Sequence, residues 1–339
     1  MSGPRARWFS LILAAAVVMA GAAACSSASS STAGNSTATG SGSSQGLELT
    51  HVNVSALDIT STVAVQIAQD EGLFQKEGLT VTINKIAASN LTTAPFLAHT
   101  LDFASDDYVG AYTQEEHAPT LDLKVIADAE QAAPGVYALM VPKGSKITSP
   151  AQLAGKKIAM PSTGPGIPLL STDTVLNAYH VKAGDYQIVQ MAFPDMPAAF
   201  AHGDVDAAWV TEPFLTIMEE SGAKVLADPM TGALSEFPVG CWVTTNWFAQ
   251  HYPHTTAAFT KAIVAAQQLA ATNPTLVRKD LTSWIPTLAP KLANVITLGI
   301  YDTTISLTRM QRVSDVMKEY NELPKSFDPA PLIQLPSGA

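Results

Sequence analysis

The chain has 339 residues, of which 47% are hydrophobic and 14% are charged, so it is too apolar for a disordered protein and long enough for one large or two ordinary domains. Its 19 Lys and Arg against 29 Asp and Glu give a formal net charge of -10, and this argues against a nucleic-acid partner, which requires a basic surface. Only Cys25 and Cys241 are present, which excludes a disulfide framework or a cysteine-rich metal centre.

The first 46 residues have the composition of an export signal followed by a linker. Arg5 and Arg7 precede an apolar stretch at residues 11–20, which is too short for a comfortable membrane span. We therefore expect a signal peptide over residues 1–24. Residues 25–46 are almost wholly small and polar, and this composition predicts a flexible tether.

Two cleavage routes are open at the end of the signal peptide. Ala22 and Ala24 form a site at which an ordinary signal peptidase cuts after Ala24. The same segment resembles a bacterial lipobox, in which cleavage leaves Cys25 as the first residue with a lipid on its thiol. The serine-rich tract after Cys25 favours the lipoprotein, which would be anchored to the outer face of the cytoplasmic membrane in the cell envelope.

From residue 49 onward, short strands alternate with helical segments. Strands are predicted at residues 49–57, 79–83, 101–105, 123–129 and 137–141, and helices at 61–71 and 92–99. Asp106 and Asp107 are candidate caps of a helix that starts at Tyr108.

The alternation restarts at Pro150. Strands are predicted at residues 157–160, 186–190, 207–210, 224–226 and 241–244, and helices at 150–153, 168–179, 197–202, 212–221, 253–273, 276–285 and 308–322. Strands separated by helices predict an α/β fold with two doubly wound units, each with a mainly parallel sheet covered by helices.

Ligands of open α/β sheets bind outside the carboxyl ends of the strands, so the loops that follow strands are the candidate site. The predicted ligand-binding residues in these loops are Asp58, Thr60, Asn90, Ser105, Asp106, Tyr108, Ser162, Thr163, Gly164, Trp209 and Glu212.

Each of these residue types also has a purely structural explanation. Ser162 to Gly164 precede a helix, so their backbone N–H groups either hold an anion or form an ordinary capped loop. The acidic and hydroxyl side chains either hydrogen-bond a ligand or cap helices, and Glu212 either accepts from an amine or complements a helix N-terminus. The aromatic rings of Tyr108 and Trp209 either form walls of a cleft or belong to the core.

Four segments, in order along the chain, resemble the solute-binding proteins of ABC importers that handle nitrate, alkanesulfonates, taurine and thiamine-precursor pyrimidines. Residues 68–79 are similar to "A-x-x-x-G-x-F-x-x-x-G-L", and residues 101–104 to "x-D-F-A". Residues 146–159 are similar to "I-x-S-P-A-D-L-x-G-K-x-I-A", and residues 203–213 to "G-x-V-D-A-x…E-P". Together they cover about residues 47–250.

The resemblance implies a two-lobed, periplasmic-binding-protein-like fold. Lobe 1 is expected at residues 47–140 and 242–339, and lobe 2 at residues 141–241, with two hinge crossings. The solute would lie between the lobes and favour their closure. An ABC permease and its ATPase would be the partners, with no cofactor and a monomeric chain.

The charges in the candidate loops bear on the ligand. They contain four acidic residues (Asp58, Asp106, Asp107 and Glu212) and no arginine, whereas a nitrate or simple carboxylate binder more naturally uses a cationic side chain. We therefore expect a neutral or amine-bearing solute such as a pyrimidine-like heterocycle. Taurine, which carries both an amine and a sulfonate, remains an alternative, as do alkanesulfonates and nitrate.

Two other classes of function, an enzyme and a ligand receptor, are compatible with the same fold. Pyrimidine-synthase enzymes share the fold that the resemblance implies, but their cysteine-rich motif is not found in this sequence. The seven histidines are scattered along the chain, and although His251 and His254 have helical spacing, Pro253 lies between them, which argues against a metal site. We therefore predict neither catalysis nor a metal. A receptor that reports its solute to a membrane sensor is not distinguished from an import protein by the sequence.

Overall fold

The computed structural model describes residues 46–326 and 328–334. The predicted signal peptide, Cys25 and the tether up to residue 45 lie outside the described residues. Ten strands occur in the described part of the chain: β1 His51–Ala56, β2 Thr80–Lys85, β3 Phe103–Asp107, β4 Leu123–Gln131, β5 Tyr137–Val141, β6 Lys157–Met160, β7 Gln187–Gln190, β8 Ala207–Thr211, β9 Lys224–Ala227 and β10 Pro238–Thr245.

Twelve α-helices accompany these strands within the same described ranges. They are α1 Val63–Asp70, α2 Leu73–Lys76, α3 Thr93–Leu97, α4 Tyr108–His117, α5 Ile167–Ala178, α6 Met196–His202, α7 Phe214–Glu220, α8 Asn246–His251, α9 Pro253–Thr272, α10 Pro274–Trp284, α11 Pro290–Ala293 and α12 Leu307–Glu319. The longer predicted elements are all present, with ends shifted by a few residues, while α2, α8 and α11 were not predicted. The predicted helix at residues 150–153 is a 3₁₀ turn capped by Ser149.

The strands form two five-stranded sheets. Sheet A has the order β2-β1-β3-β10-β4, and sheet B has the order β7-β6-β8-β5-β9. We call sheet A with its helices lobe 1, and sheet B with its helices lobe 2. In each sheet four strands run in one direction and the fourth in order is antiparallel to both neighbours. The predicted α/β class is confirmed, but the reversed strands β10 and β5 were not predicted.

The reversed strands are the ones that the chain enters when it changes sheets. β4 of sheet A leads through residues 132–136 into β5, and β9 of sheet B leads through residues 228–237 into β10. Most strands end at the edge of their sheet that faces the other lobe. A strand that the chain reaches directly from the other lobe therefore starts at this edge and runs antiparallel to its neighbours. The changeovers therefore come a few residues before the predicted positions near residues 140 and 240. β5 and β10 are buried throughout, so their sequences carry no pattern that assigns them to a sheet.

The C-terminal helices pack against lobe 1. α9 and α10 pack against α1, and α12 packs against α4. In the core beneath α9, the ring of Phe259 stacks on Phe103 at 3.8 Å and on Phe74 at 5.4 Å. Among the described residues, none of the helices combines the length and the apolar composition that a membrane crossing requires.

Candidate ligand-binding cavity

A cavity of about 180 Å³ lies between the facing edges of the two sheets. This volume suits a small molecule, since an apolar protein cavity of about 150 Å³ accepts benzene. Lobe 1 contributes Leu57, Ile59, Ser61, Thr62, Ala88, Ser89, Asn90, Ser105, Asp106, Asp107, Gly110, Thr113, Gln114, Ala129, Val239 and Gly240. Lobe 2 contributes Tyr137, Pro161, Ser162, Gly164, Pro165, Gly166, Ile167, Pro168, Phe193, Trp209 and Thr211.

The lobe 1 wall is polar and carries two adjacent carboxyl groups at the end of β3. Asp106 accepts hydrogen bonds from the backbone N–H of Asp107 at 2.8 Å and from Nε2 of Gln114 at 2.6 Å. Burial, and then the neighbouring charge of Asp107, raise the pKa of Asp106 above its ordinary value. Burial likewise raises the pKa of Asp107. The wall thus holds two adjacent carboxyl groups in a poorly solvated place, which disfavours their both being ionised.

Asp107 joins the two lobes. Its Oδ1 accepts from the backbone N–H of Gly110 at 2.7 Å, which caps α4 as predicted, and from the backbone N–H of Ile167 at 3.2 Å. Ile167 is the first residue of α5 in lobe 2, so the carboxylate also complements the N-terminus of that helix. The predicted anion cradle, Ser162 to Gly164, lies just before α5, and Asp107 accepts a hydrogen bond from the N–H group at the start of that helix.

The lobe 2 wall is aromatic. Tyr137, Phe193 and Trp209 line the cavity, with ring centroids 5.6 Å apart for Tyr137 and Trp209 and 6.1 Å apart for Phe193 and Trp209. Nε1 of Trp209 donates to Oγ of Ser171 at 2.9 Å, which fixes the orientation of the indole. The wall therefore offers rigid apolar surface to whatever occupies the cavity.

A second contact between the lobes lies beside the cavity at Glu212. The backbone carbonyl of Glu212 accepts from both the N–H and the hydroxyl of Thr60, each at 3.2 Å. Its side chain accepts from the backbone N–H of Thr297 at 3.1 Å and from the hydroxyl of Thr216 at 2.8 Å. Burial raises the pKa of Glu212 to about 7. Both predicted residues therefore contribute to the contact between lobes.

Glu130 lies behind the cavity where the chain leaves sheet A, and it is 1% exposed. It accepts a hydrogen bond from the hydroxyl of Tyr137, while its Oε1 has no hydrogen-bond partner. Burial, with a smaller contribution from the charge of Glu212, raises the pKa of Glu130 to about 7. A Cβ at Gly299 would collide with this carboxyl group, so the close approach of the chain requires glycine there.

The structure brings six of the eleven predicted ligand residues to the cavity: Asn90, Ser105, Asp106, Ser162, Gly164 and Trp209. The other five, Asp58, Thr60, Tyr108, Thr163 and Glu212, are not part of its lining.

These five residues have other environments. The ring of Tyr108 is fully buried and its hydroxyl donates to Asp128, so it belongs to the core of lobe 1. Asp58 is half-buried beside Lys85, whose charge partly offsets the increase in pKa that burial causes. Thr163 lines a different cavity in lobe 2, to which Asp173 also contributes.

Some lining residues were not predicted, and they fall into three cases. Tyr137, Val239 and Gly240 lie at the starts of the reversed strands β5 and β10. The expectation that ligands bind at the carboxyl ends of strands does not include such positions. Phe193 follows the end of β7, so the rule that selected the other loops was sufficient to find it. Gln114 lies two turns into α4, and only tertiary structure shows that it bonds Asp106.

The fold defines the class of protein. The alkanesulfonate-binding protein SsuA from Xanthomonas axonopodis pv. citri, solved with bound MOPS, superimposes with a TM-score of 0.72 at 17% identity, covering 86% of this chain and 100% of that one. A Candida albicans protein described as having the generic periplasmic binding protein fold gives a TM-score of 0.69 at 13% identity, covering 84% and 96%. The chain therefore has the two-lobed periplasmic-binding-protein fold.

Residues 60–276, well over half of the chain, match the family described as NMT1/THI5 like, and the protein belongs to that family. The taurine-binding periplasmic protein of Escherichia coli (strain K12) is 29% identical to it over an alignment of 238 positions, which covers 66% of this chain and 68% of that protein. Within residues 46–326 and 328–334, no group of three or more His, Cys, Asp or Glu side chains is arranged to hold a metal ion.

Proposed function

We propose that this protein is an extracytoplasmic solute-binding protein that captures a small organic solute between its lobes. The observation that carries the proposal is the cavity itself, to which both lobes contribute walls and beside which they already contact each other through Asp107 and Glu212. A solute in this position touches both lobes and so favours the closed arrangement over an open one. The names of the similar proteins, which bind taurine or an alkanesulfonate, support the same reading.

We propose that the captured solute is neutral or amine-bearing, for example a pyrimidine-like heterocycle, and that it is passed unchanged to an ABC import permease with its ATPase. The acidic wall of lobe 1 and the aromatic wall of lobe 2 support this ligand class. Taurine or an alkanesulfonate, as in the similar proteins, is the alternative that the same test addresses.

The test is thermal unfolding of the full chain in the presence of amines, pyrimidines, taurine, alkanesulfonates and nitrate. A bound solute at about 100 times its Kd adds about 2.7 kcal/mol to the free energy of unfolding. Chromatography of the mixture then shows whether the solute is recovered unchanged. Turnover of a solute, or no stabilisation by any of them, would contradict the proposal.

We also propose that lipidation of Cys25 anchors the protein, with residues 26–46 as a tether. A random chain of this length spans about 25 Å, which is enough to hold a domain clear of a membrane surface. Replacing Cys25 by serine should move the protein from the detergent phase to the aqueous phase. The same replacement at Cys241, which is buried in lobe 1, is the matched control and should leave the partition unchanged.

A further inference from the structure

The charges in the cavity are unbalanced. Asp106 and Asp107 line it, and among the described lining residues there is no Lys, Arg or His. The hydrogen-bond donors to the two carboxyl groups are neutral: backbone N–H groups of residues 107, 109, 110 and 167, the hydroxyl of Ser89 and the amide of Gln114. Two adjacent carboxyl groups, that of Asp106 buried and that of Asp107 half-buried, therefore share one place without an opposite charge.

Hydroxyl groups without partners face the same place. Ser105, the residue before Asp106, is 2% exposed, and its Oγ has no hydrogen-bond partner. Oγ1 of Thr113, on the helix that Asp107 caps, is buried and also without a partner. A buried polar atom without a partner costs free energy, so both hydroxyls gain from a ligand that supplies donors. A primary ammonium has three donors and a positive charge.

The positions where an anion would bind are less favourable. The N-termini of α1, α4 and α5 all reach the cavity, and Asp107 already accepts from the first N–H group of α5 and from Gly110 in the first turn of α4. A sulfonate or nitrate there would lie against that carboxylate, and like charges at short range repel each other in a poorly solvated place.

The opposite wall suits the body of an organic cation. Tyr137, Phe193 and Trp209 present aromatic surface across the cavity from the carboxyl groups. Aromatic faces attract cations and bury apolar groups. We propose that the Asp106–Asp107 pair makes the cavity selective for a small primary amine with an apolar or aromatic body, bound with its ammonium toward lobe 1. This inference rests on the proposed solute binding and specifies its ligand class.

Binding of this kind is linked to protons. The other titratable groups that face the pair are Tyr137 from β5 and Cys241 from β10, with Glu130 behind Tyr137. Burial raises the pKa of the Tyr137 hydroxyl and of the Cys241 thiol, so both remain neutral. A proton taken up by either aspartate competes with the ammonium, and the affinity for an amine therefore falls as the pH is lowered.

The experiment compares three probes of nearly equal size, benzylamine, benzyl alcohol and benzoate, together with taurine and ethanesulfonate, by calorimetry on the full chain. We expect the affinity for benzylamine to be at least about ten times that for benzyl alcohol, because the ammonium forms charge-assisted hydrogen bonds. Its affinity should fall as the pH is lowered from about 8 through about 6, because the pKa values of Asp106 and Asp107 are raised to about 8 and about 6 in the unliganded protein. Its binding near neutral pH should release protons, seen as a heat that depends on the buffer. The substitution Asp106→Asn should reduce the affinity for benzylamine to that for benzyl alcohol.

Asp204→Asn is the matched control, since it removes the same charge from an exposed position outside the cavity and should leave the preference unchanged. If benzoate binds as tightly as benzylamine or more tightly, or ethanesulfonate as tightly as taurine or more tightly, this inference is overturned and solute binding is left intact. So does an Asp106→Asn variant that is folded by circular dichroism and keeps the amine preference. Failure of every probe to bind contradicts solute binding itself, and this inference with it.

Discussion

Lobe 1 and lobe 2 have the same strand order, each with a reversed strand in the fourth position, yet they contribute different chemistry to the cavity. Lobe 1 supplies two carboxyl groups, hydroxyls and amides, whereas lobe 2 supplies three aromatic rings and a loop rich in proline and glycine. Because topology sets only where strand ends meet, the side chains at those ends are free to differ. The difference gives the cavity a polar end and an apolar end, and so a preferred orientation for its occupant.

The largest effect is expected from the aromatic wall of lobe 2. Trp209→Ala should lower the free energy of unfolding by about 3–5 kcal/mol, because Trp209 is 3% exposed and its removal leaves a cavity. It should also weaken benzylamine binding. Phe259→Ala, in the core of lobe 1 away from the cavity, is the control: it should cost similar stability and leave the affinity unchanged. Equal losses of affinity in both variants would show that the wall has no specific role.

The next largest effect on stability is expected at Glu130, near the end of β4 in lobe 1. Its pKa of about 7 when folded lies above its ordinary value of 4.5, so the folded protein holds a proton that the unfolded chain loses as the pH rises between these values. The contribution of this group to stability is therefore complete below about pH 4.5 and is lost as the pH rises through about 7. In urea unfolding, the free energy of unfolding of Glu130→Gln should exceed that of the wild type by on the order of 2 kcal/mol at about pH 8. At about pH 4.5 the two should be equal.

Glu319→Gln, at an exposed position on α12, is the control for the Glu130 variant and should show no such change with pH. A Glu130→Gln variant that is less stable than the wild type at about pH 8 would mean that the ionised carboxyl is favourably bound, contrary to the effect of its burial.

A smaller effect is expected at Asp107, whose side chain both caps α4 and contacts lobe 2. Asp107→Asn retains a side-chain oxygen that accepts from Gly110 and Ile167, whereas Asp107→Ala removes it. Both variants remove the charge next to Asp106, so their difference reports the lost hydrogen bonds. We expect the alanine variant to be less stable than the asparagine variant by about 1–2 kcal/mol in thermal unfolding. Equal stability would indicate that neither bond contributes.

The smallest effect is expected at the exposed ion pair between Lys291 on α11 and Glu220 on α7, which are 2.6 Å apart. Surface pairs contribute little, because water screens them and two flexible side chains lose freedom. Lys291→Ala should therefore change the unfolding free energy by less than about 0.5 kcal/mol. A loss comparable with that of Asp107→Ala would assign this pair a real part in closing the lobes.

The sequence by itself determined the local structure well. Alternating strands and helices and the cap at Asp107 follow from patterns within short segments. The same reasoning found Asn90, Ser105, Asp106, Ser162, Gly164 and Trp209 as lining residues, because the ends of parallel strands gather at one edge of a sheet.

Only the tertiary structure decided which chemistry faces the cavity. Tyr108 and Asp107 are adjacent, but a helix start turns one into the core and the other toward the opposite lobe. Tyr137 reaches the cavity because β5 enters sheet B from the cleft edge, and a uniformly buried strand does not reveal its direction. Contacts between residues far apart in the chain depend on how the two sheets meet, and local patterns of polarity do not encode that arrangement.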